Sequence, residues 1–300
     1  MATSIPTPAA DRSRPARVLL LGFGAIGRHV AGLLAPEVEA GRLVQSAAVR
    51  DVAAHSERPV PGVEVVEWSA AVGVVGGVGG VGAYDLVVEC AGVSVARDLG
   101  PEVVATGTDL VLTSVGALAD PVVVVGMLAG PGRLHVTNGA IGGFDVLGAA
   151  ADAGGLDAVS IRTTKLASTL VRPWMDEAEA ERLRSLRPGE EPVTVFSGDP
   201  AGAIKKFPAN VNVSIALAWA TRGRSSVEDE ASLLRRSLDR VQVELVADPA
   251  AKLSRHEITA SGAAGRIELR FESAPSPENP KTSGMTALSV ARTVRLALGV

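Results

Sequence analysis

The apolar run Val18-Leu19-Leu20-Leu21 stops at a glycine, and Gly22-Phe23-Gly24-Ala25-Ile26-Gly27 follows it directly. Four aliphatic side chains in a row, without alternation, suit a strand covered on both faces, as strands of a parallel sheet are. From Ile26 the apolar residues change spacing: Ile26, Val30 and Leu33-Leu34 recur at helical intervals. Strand, glycine turn and helix in that order open a βαβ unit. In that setting each glycine has its own task. Gly22 permits the tight turn, Gly24 lets backbone approach a pyrophosphate, and Gly27 lets helix and strand pack closely. The first amides of the helix, at Ala25 and Ile26, then offer unpaired N–H groups and partial positive charge to phosphate. The segment predicts a dinucleotide-binding turn.

A second strand over 44–49 ends at Arg50-Asp51, some twenty residues past the glycines. Asp51 could accept hydrogen bonds from both ribose hydroxyls, which suits NAD; Arg50 could pair with a 2′-phosphate, which suits NADP. Both are present, so the cofactor is NAD or NADP, and each residue alone also reads as a solvated loop charge. Apolar strands over 85–89, 110–113 and 134–137 continue the alternation. After Gly142 the pattern changes. Helices are expected over 144–151, 176–186 and 212–220, and a strand over 158–164. Strict alternation at Val241, Val243 and Leu245, and at Ile267, Leu269 and Phe271, predicts a half-buried antiparallel sheet. A last helix is expected over 282–298, capped by Thr282 or Ser283. The fold class is therefore α/β: an N-terminal Rossmann-type parallel-sheet domain over 17–141, and a mixed α/β, largely antiparallel catalytic and dimerisation domain over 142–277. Residues 1–16 read as a disordered tail, and 278–300 as a closing helix packed back on the first domain.

Composition removes several classes of function. The net charge of -4, with both signs scattered, lacks the basic footprint that nucleic acid requires. The single cysteine, Cys90, follows an apolar run and reads as a small core residue in a chain from a reducing compartment. The four histidines lie far apart, so no metal site is expected. The Val-rich stretch 72–95 is crowded with glycine and interrupted by Asp85 and Glu89, which makes it a loop leading into a strand rather than a membrane span. A soluble, cytoplasmic protein is expected.

Several further segments carry a resemblance. They are Thr113-Ser114-Val115-Gly116-Ala117-Leu118-Ala119-Asp120, Asn138-Gly139-Ala140-Ile141-Gly142-Gly143-Phe144-Asp145 and Ile204-Lys205-Lys206-Phe207-Pro208-Ala209-Asn210-Val211-Asn212-Val213, then His256-Glu257-Ile258 and Pro275-Ser276-Pro277-Glu278-Asn279-Pro280-Lys281-Thr282-Ser283. In this order they resemble the L-aspartate dehydrogenase family. The resemblance implies a homodimer that oxidises L-aspartate to iminoaspartate, which hydrolyses to oxaloacetate and ammonia or feeds NAD biosynthesis. It also implies cofactor contacts from Ala140 and Asn212 and a catalytic role for His256. The chain departs from the family's compact form in its N-terminal tail, in the Gly/Val-rich loop before Asp85, and around 181–192 and 221–240.

Amine oxidation needs a hydride acceptor, a group that moves protons, and cations for the substrate's carboxylates. His256 begins a strand on the parity of Ile258, facing inward, and an imidazole suits the proton transfer. Lys281, with the Thr282 and Ser283 hydroxyls and free amides at a helix start, is the favoured carboxylate site. Lys165, Lys205 and Lys206 are further candidates. Other readings are a dehydrogenase of another acidic or homoserine-type substrate, and a non-catalytic nucleotide sensor.

Overall fold

The computed structural model describes residues 14–73, 80–208, 211–276 and 279–300, without the side chains of 56 and 279–281. Its contacts divide the chain into two compact units. The first holds the residues up to Ser114 with Gly126–Thr137 and Ala287–Val300; the second holds Val115–Val125 and Asn138–Thr286.

The first unit is built on strand β1 (Ala16–Leu21), helices α1 (Ala25–Leu33) and α2 (Ala35–Glu39), strand β2 (Leu43–Val49), helix α3 (Val52–Ser56), strand β3 (Val63–Glu67) and helix α4 (Trp68–Val72). It continues through β4 (Leu86–Glu89), α5 (Val93–Ala105), β5 (Asp109–Leu112), α6 (Pro121–Ala129, whose first residues belong to the second unit) and β6 (Leu134–Val136). The strands form one parallel sheet in the order β3-β2-β1-β4-β5-β6. The Val18–Leu21 run is buried throughout, as a strand covered on both faces should be. The strand order reverses between β1 and β4, and the C-terminal ends of those two strands flank the point where open α/β sheets bind ligands.

Arg14, in the span expected as a tail, is tied to Asp85 by a bidentate pair, and Ala16 opens β1. His55 lies on α3, whose first turn is capped by Asp51. Cys90 packs against the core beside the Thr113 hydroxyl, and burial pushes its thiol pKa up, so it behaves as an apolar filler.

In the second unit, α7 (Phe144–Asp152) precedes β7 (Ala158–Leu166), α8 (Glu177–Ser185), β8 (Val193–Gly198), α9 (Pro200–Lys206), α10 (Asn212–Ala220) and α11 (Glu230–Arg240). Strands β9 (Val241–Asp248), β10 (Ser254–Gly262) and β11 (Gly265–Ser273) follow. The five-stranded sheet runs β11-β10-β7-β9-β8 and is mixed, because β7 and β9 are parallel while the other neighbours are antiparallel. The segment 221–240 holds α11; Asp229 caps it and Leu233 and Leu234 bury its apolar side. Cross-strand partners share a face, so the register sorts this sheet into two surfaces. Val159, Ile161, Thr163, Val243, Leu245, His256 and Ile258 fall on the buried surface. The other surface carries partly exposed charge pairs such as Arg162–Glu244 and Arg255–Glu257.

The hairpin β12 (Pro275–Ser276) and β13 (Asn279–Ser283) leads into α12 (Gly284–Leu298). This corrects the expected helix start. Thr282 and Ser283 are in β13 because this stretch pairs antiparallel with 275–276, and Gly284 N donates to Ala274 O at 3.0 Å. The Ser283 hydroxyl still accepts from Met285 N at 3.1 Å. From Ala287 onward α12 belongs to the first unit, where Ala287, Val290, Ala291 and Val294 are buried with Val18, Leu20 and Val30. Arg295 ties it there, reaching the buried Glu37 carboxylate at 2.8 Å and the Leu33 carbonyl. That guanidinium holds the Glu37 carboxyl below the usual range. Among the described residues no helix is long and apolar enough to cross a membrane, and no cluster of metal-ligating side chains occurs.

Candidate functional site

In the first unit the glycine turn separates what the protein needs from what it leaves open. Gly22 has φ +91°, and a Cβ there would lie 3.0 Å from Ala91 Cα and Cys90 O, at the end of β4. A Cβ on Gly27 would lie 2.4 Å from the Gly22 carbonyl oxygen. Both glycines are therefore demanded by the chain's own packing. Gly24 differs: it is exposed, has no positive φ, and a Cβ there would meet nothing within 4 Å. A bare position that nothing in the protein crowds, set where α1 presents its first amides, fits close approach by a diphosphate. Ala25 opens α1, while the Ile26 side chain packs on the core, leaving its backbone amide as the part that can face a ligand. Arg50 and Asp51 are exposed at the end of β2, and the Asp51 carboxylate accepts from Ala54 N at 3.0 Å as the cap of α3.

One buried group nearby was not singled out by the sequence reading. Glu89 ends β4 opposite Leu21, only 1% exposed. Its carboxylate accepts from the amides of Ala91, Gly92 and Ser114 at 2.8 Å and from the Ser114 hydroxyl at 3.0 Å. Burial raises its pKa, against the pull of those four donors. It clamps the loops after β4 and β5. The signal available was an acidic residue closing an otherwise apolar strand.

In the second unit His256 lies on β10 directly across from Thr163 on β7. It is 2% exposed, and its Nδ1 is 2.9 Å from the Thr163 hydroxyl. Its Nε2 has no hydrogen-bond partner among the described residues. Burial, reinforced by the nearby Lys165 ammonium, lowers the imidazole pKa to about 3. The ring is neutral at physiological pH, with Thr163 fixing its orientation. Thr163 itself was legible only as one member of an alternating strand.

Asn212 opens α10, and its Oδ1 accepts from Gly116 N at 2.9 Å. A Cβ on Gly116 would lie 2.6 Å from that oxygen and from Ile204 Cδ1, so Gly116 is glycine to let the asparagine approach. Two of the segments quoted above thus meet, and the Asn212 amide NH2 keeps its donors. Ala140 is buried one residue after Gly139, whose φ is +61°. The Lys281 side chain lies outside the described residues; Thr282 and Ser283 are half-buried in β13. Lys205 and Lys206 are exposed on α9, and the Lys206 ammonium sits over the Trp174 ring at 5.5 Å. Lys165 is on β7, close enough to His256 to act on its charge.

Residues 145–297 match the family described as "Aspartate dehydrogenase, C-terminal", and residues 22–129 match "Homoserine dehydrogenase, NAD binding domain". The chain is 36% identical to the L-aspartate dehydrogenase of Ruegeria pomeroyi, over 96% of this chain and 94% of the relative. It is 34% identical to that of Brucella anthropi, over 92% and 94%. Among solved structures, the aspartate dehydrogenase of Thermotoga maritima superposes with a TM-score of 0.64 at 25% identity, covering 94% of this chain and 96% of that one. A homoserine dehydrogenase from Thiobacillus denitrificans shares the fold at 15% identity and a TM-score of 0.53, over 95% and 73%. With family-wide matches along nearly its whole length, and with the glycine turn and the buried imidazole each on its own sheet, this chain belongs to the aspartate dehydrogenase family.

Proposed function

We propose that the protein oxidises L-aspartate with NAD or NADP, giving iminoaspartate, which water converts to oxaloacetate and ammonia or which feeds NAD biosynthesis. The observation that carries the reading is His256: a neutral imidazole, oriented by Thr163, with Nε2 unengaged. When bound, the nicotinamide cofactor supplies the acceptor for the hydride leaving the amine carbon. Gly22, Gly24 and Gly27, with the amides of Ala25 and Ile26, hold its diphosphate. Arg50 or Asp51 meets the adenosine ribose, and Ala140 and Asn212 contact the rest of the cofactor. Lys281, Thr282 and Ser283 hold a substrate carboxylate.

His256 does the proton work. As the C–H hydride leaves, the amine nitrogen gives up a proton, and a neutral Nε2 can take it. Once it has passed that proton to solvent, the same nitrogen can draw one from the water that adds to the imine carbon. Substrate carboxylates near Lys165 would offset the positive field on the ring and make imidazolium easier to form. The same reading makes the enzyme a cytoplasmic homodimer, supported by the family resemblance and the single cysteine.

The test is spectrophotometric: purified protein, L-aspartate at alkaline pH, and NAD and NADP in parallel. Reduced nicotinamide should accumulate with L-aspartate and with no other amino acid at a comparable kcat/KM. Preference for a homoserine-type alcohol, or tight NAD binding with no oxidation across the panel, would replace this reading with one of its rivals.

A further inference from the structure

We propose that the Lys165 ammonium holds one carboxylate of a dicarboxylic amino acid beside His256, so that this lysine selects for substrates with two carboxylates. The inference rests on the aspartate reading and deepens it by naming a second anion anchor.

The placement comes from register. Thr163 of β7 is paired with His256 of β10, and side chains two apart on a strand point to the same face. Lys165 therefore shares the buried surface with Thr163 and the imidazole. Across the parallel pairing its neighbour is Ala247, and beyond Thr163 lies Leu245, neither of which can neutralise a charge.

What distinguishes Lys165 is the lack of a partner. Among the described residues no carboxylate forms an ion pair with it and no acceptor takes its hydrogen bonds. The charged groups that act on it and on His256 are cationic. Burial, and then the Arg172 guanidinium, lower its pKa to about 8. Arg172 donates to the Thr169 and Val171 carbonyls and stands over the Phe207 ring, so it adds field without offering negative charge. An ammonium desolvated among like charges is costly unless an anion visits it. At neutral pH it is still mostly charged, and a bound carboxylate would hold it so. A phosphate is a poorer candidate, because the diphosphate already has its cradle at the first glycine turn. Aspartate has two carboxylates to satisfy; with one at Lys281-Thr282-Ser283, Lys165 accounts for the other.

The test separates binding from turnover. Isothermal titration of the NAD-loaded protein with succinate, a dicarboxylate without an amine, should show binding that Lys165→Met weakens at least roughly tenfold. Butyrate, with one carboxylate, should be bound weakly by both proteins. In the assay, Lys165→Met should raise the KM for aspartate by a similar factor with a smaller change in kcat, and Lys165→Arg should recover part of the loss. Should the methionine variant fail to fold, Lys165→Gln takes its place. Succinate affinity unchanged by the substitution overturns the proposal, as does a fall in kcat at constant KM, which would make Lys165 a proton carrier. If the wild type binds succinate through Lys165 yet does not oxidise aspartate, the activity reading fails and the anchor stands. If it oxidises aspartate with no contribution from Lys165, the reverse holds.

Discussion

The two units carry their candidate residues on opposite plans. In the first, the proposed cofactor turn is six consecutive residues, and what it offers a ligand is backbone amides and missing side chains. In the second, the groups are side chains brought from distant parts of the chain: Thr163 and His256 are 93 residues apart, and Gly116 and Asn212 are 96 apart. The first plan tolerates change wherever backbone geometry survives. The second depends on sheet register, since a one-residue slip of β10 against β7 would turn His256 to the charged surface. A binding turn is local; a catalytic group positioned by hydrogen bond and field is a product of packing.

The sharpest way to break this comparison is His256→Ala. It should lower kcat by about 10²–10⁴, the usual worth of general acid–base catalysis, while the Kd for NAD measured by fluorescence stays within about twofold. A comparable loss of NAD affinity would mean that the plans are not separate.

Next in size is a pair of substitutions within the turn. Gly27→Ala drives a methyl group into the Gly22 carbonyl, so thermal unfolding should show a loss of about 1–3 kcal/mol together with weakened cofactor binding. Gly24→Ala meets no protein atom, so its stability should stay within about 0.5 kcal/mol while NAD affinity falls. Equal destabilisation by both would remove the argument that Gly24 is bare for a ligand.

The smallest effect concerns stability alone. The folded-state pKa of Lys165, about 8, lies below its ordinary value of 10.5, so at neutral pH folding opposes its charge. Lys165→Met should therefore raise stability at pH 7, by up to about 1–3 kcal/mol. The gain should shrink as pH rises from about 8 towards 10.5, where the wild-type lysine becomes neutral in the unfolded chain too. A variant less stable than wild type at pH 7 would show that Lys165 is structural.

Much of the fold was legible because its signals are periodic. The Val18–Leu21 run, the Asn212–Ala220 helix and the alternation at Val241–Leu245 each declare an environment within a few residues. The start of α12 was misread because capping chemistry at Thr282 and Ser283 is local, whereas the pairing of 275–276 with 279–283 that holds them in a strand is not. Glu89 was read as an interruption, since nothing nearby in sequence announces that donors from 91, 92 and 114 converge on it.

By itself the sequence determined the βαβ opening, the glycines of the turn and the α/β class, because each follows from spacing or from a motif that survives as a string; His256 came to notice through the family resemblance. Only the tertiary structure decided which glycines the protein needs for itself, that Thr163 orients His256, that Asn212 requires Gly116, and that Lys165 has no ion-pair partner among the described residues. Those are statements about which atoms lie within a few ångströms across tens of residues of chain, and sheet register, not composition, sets those distances.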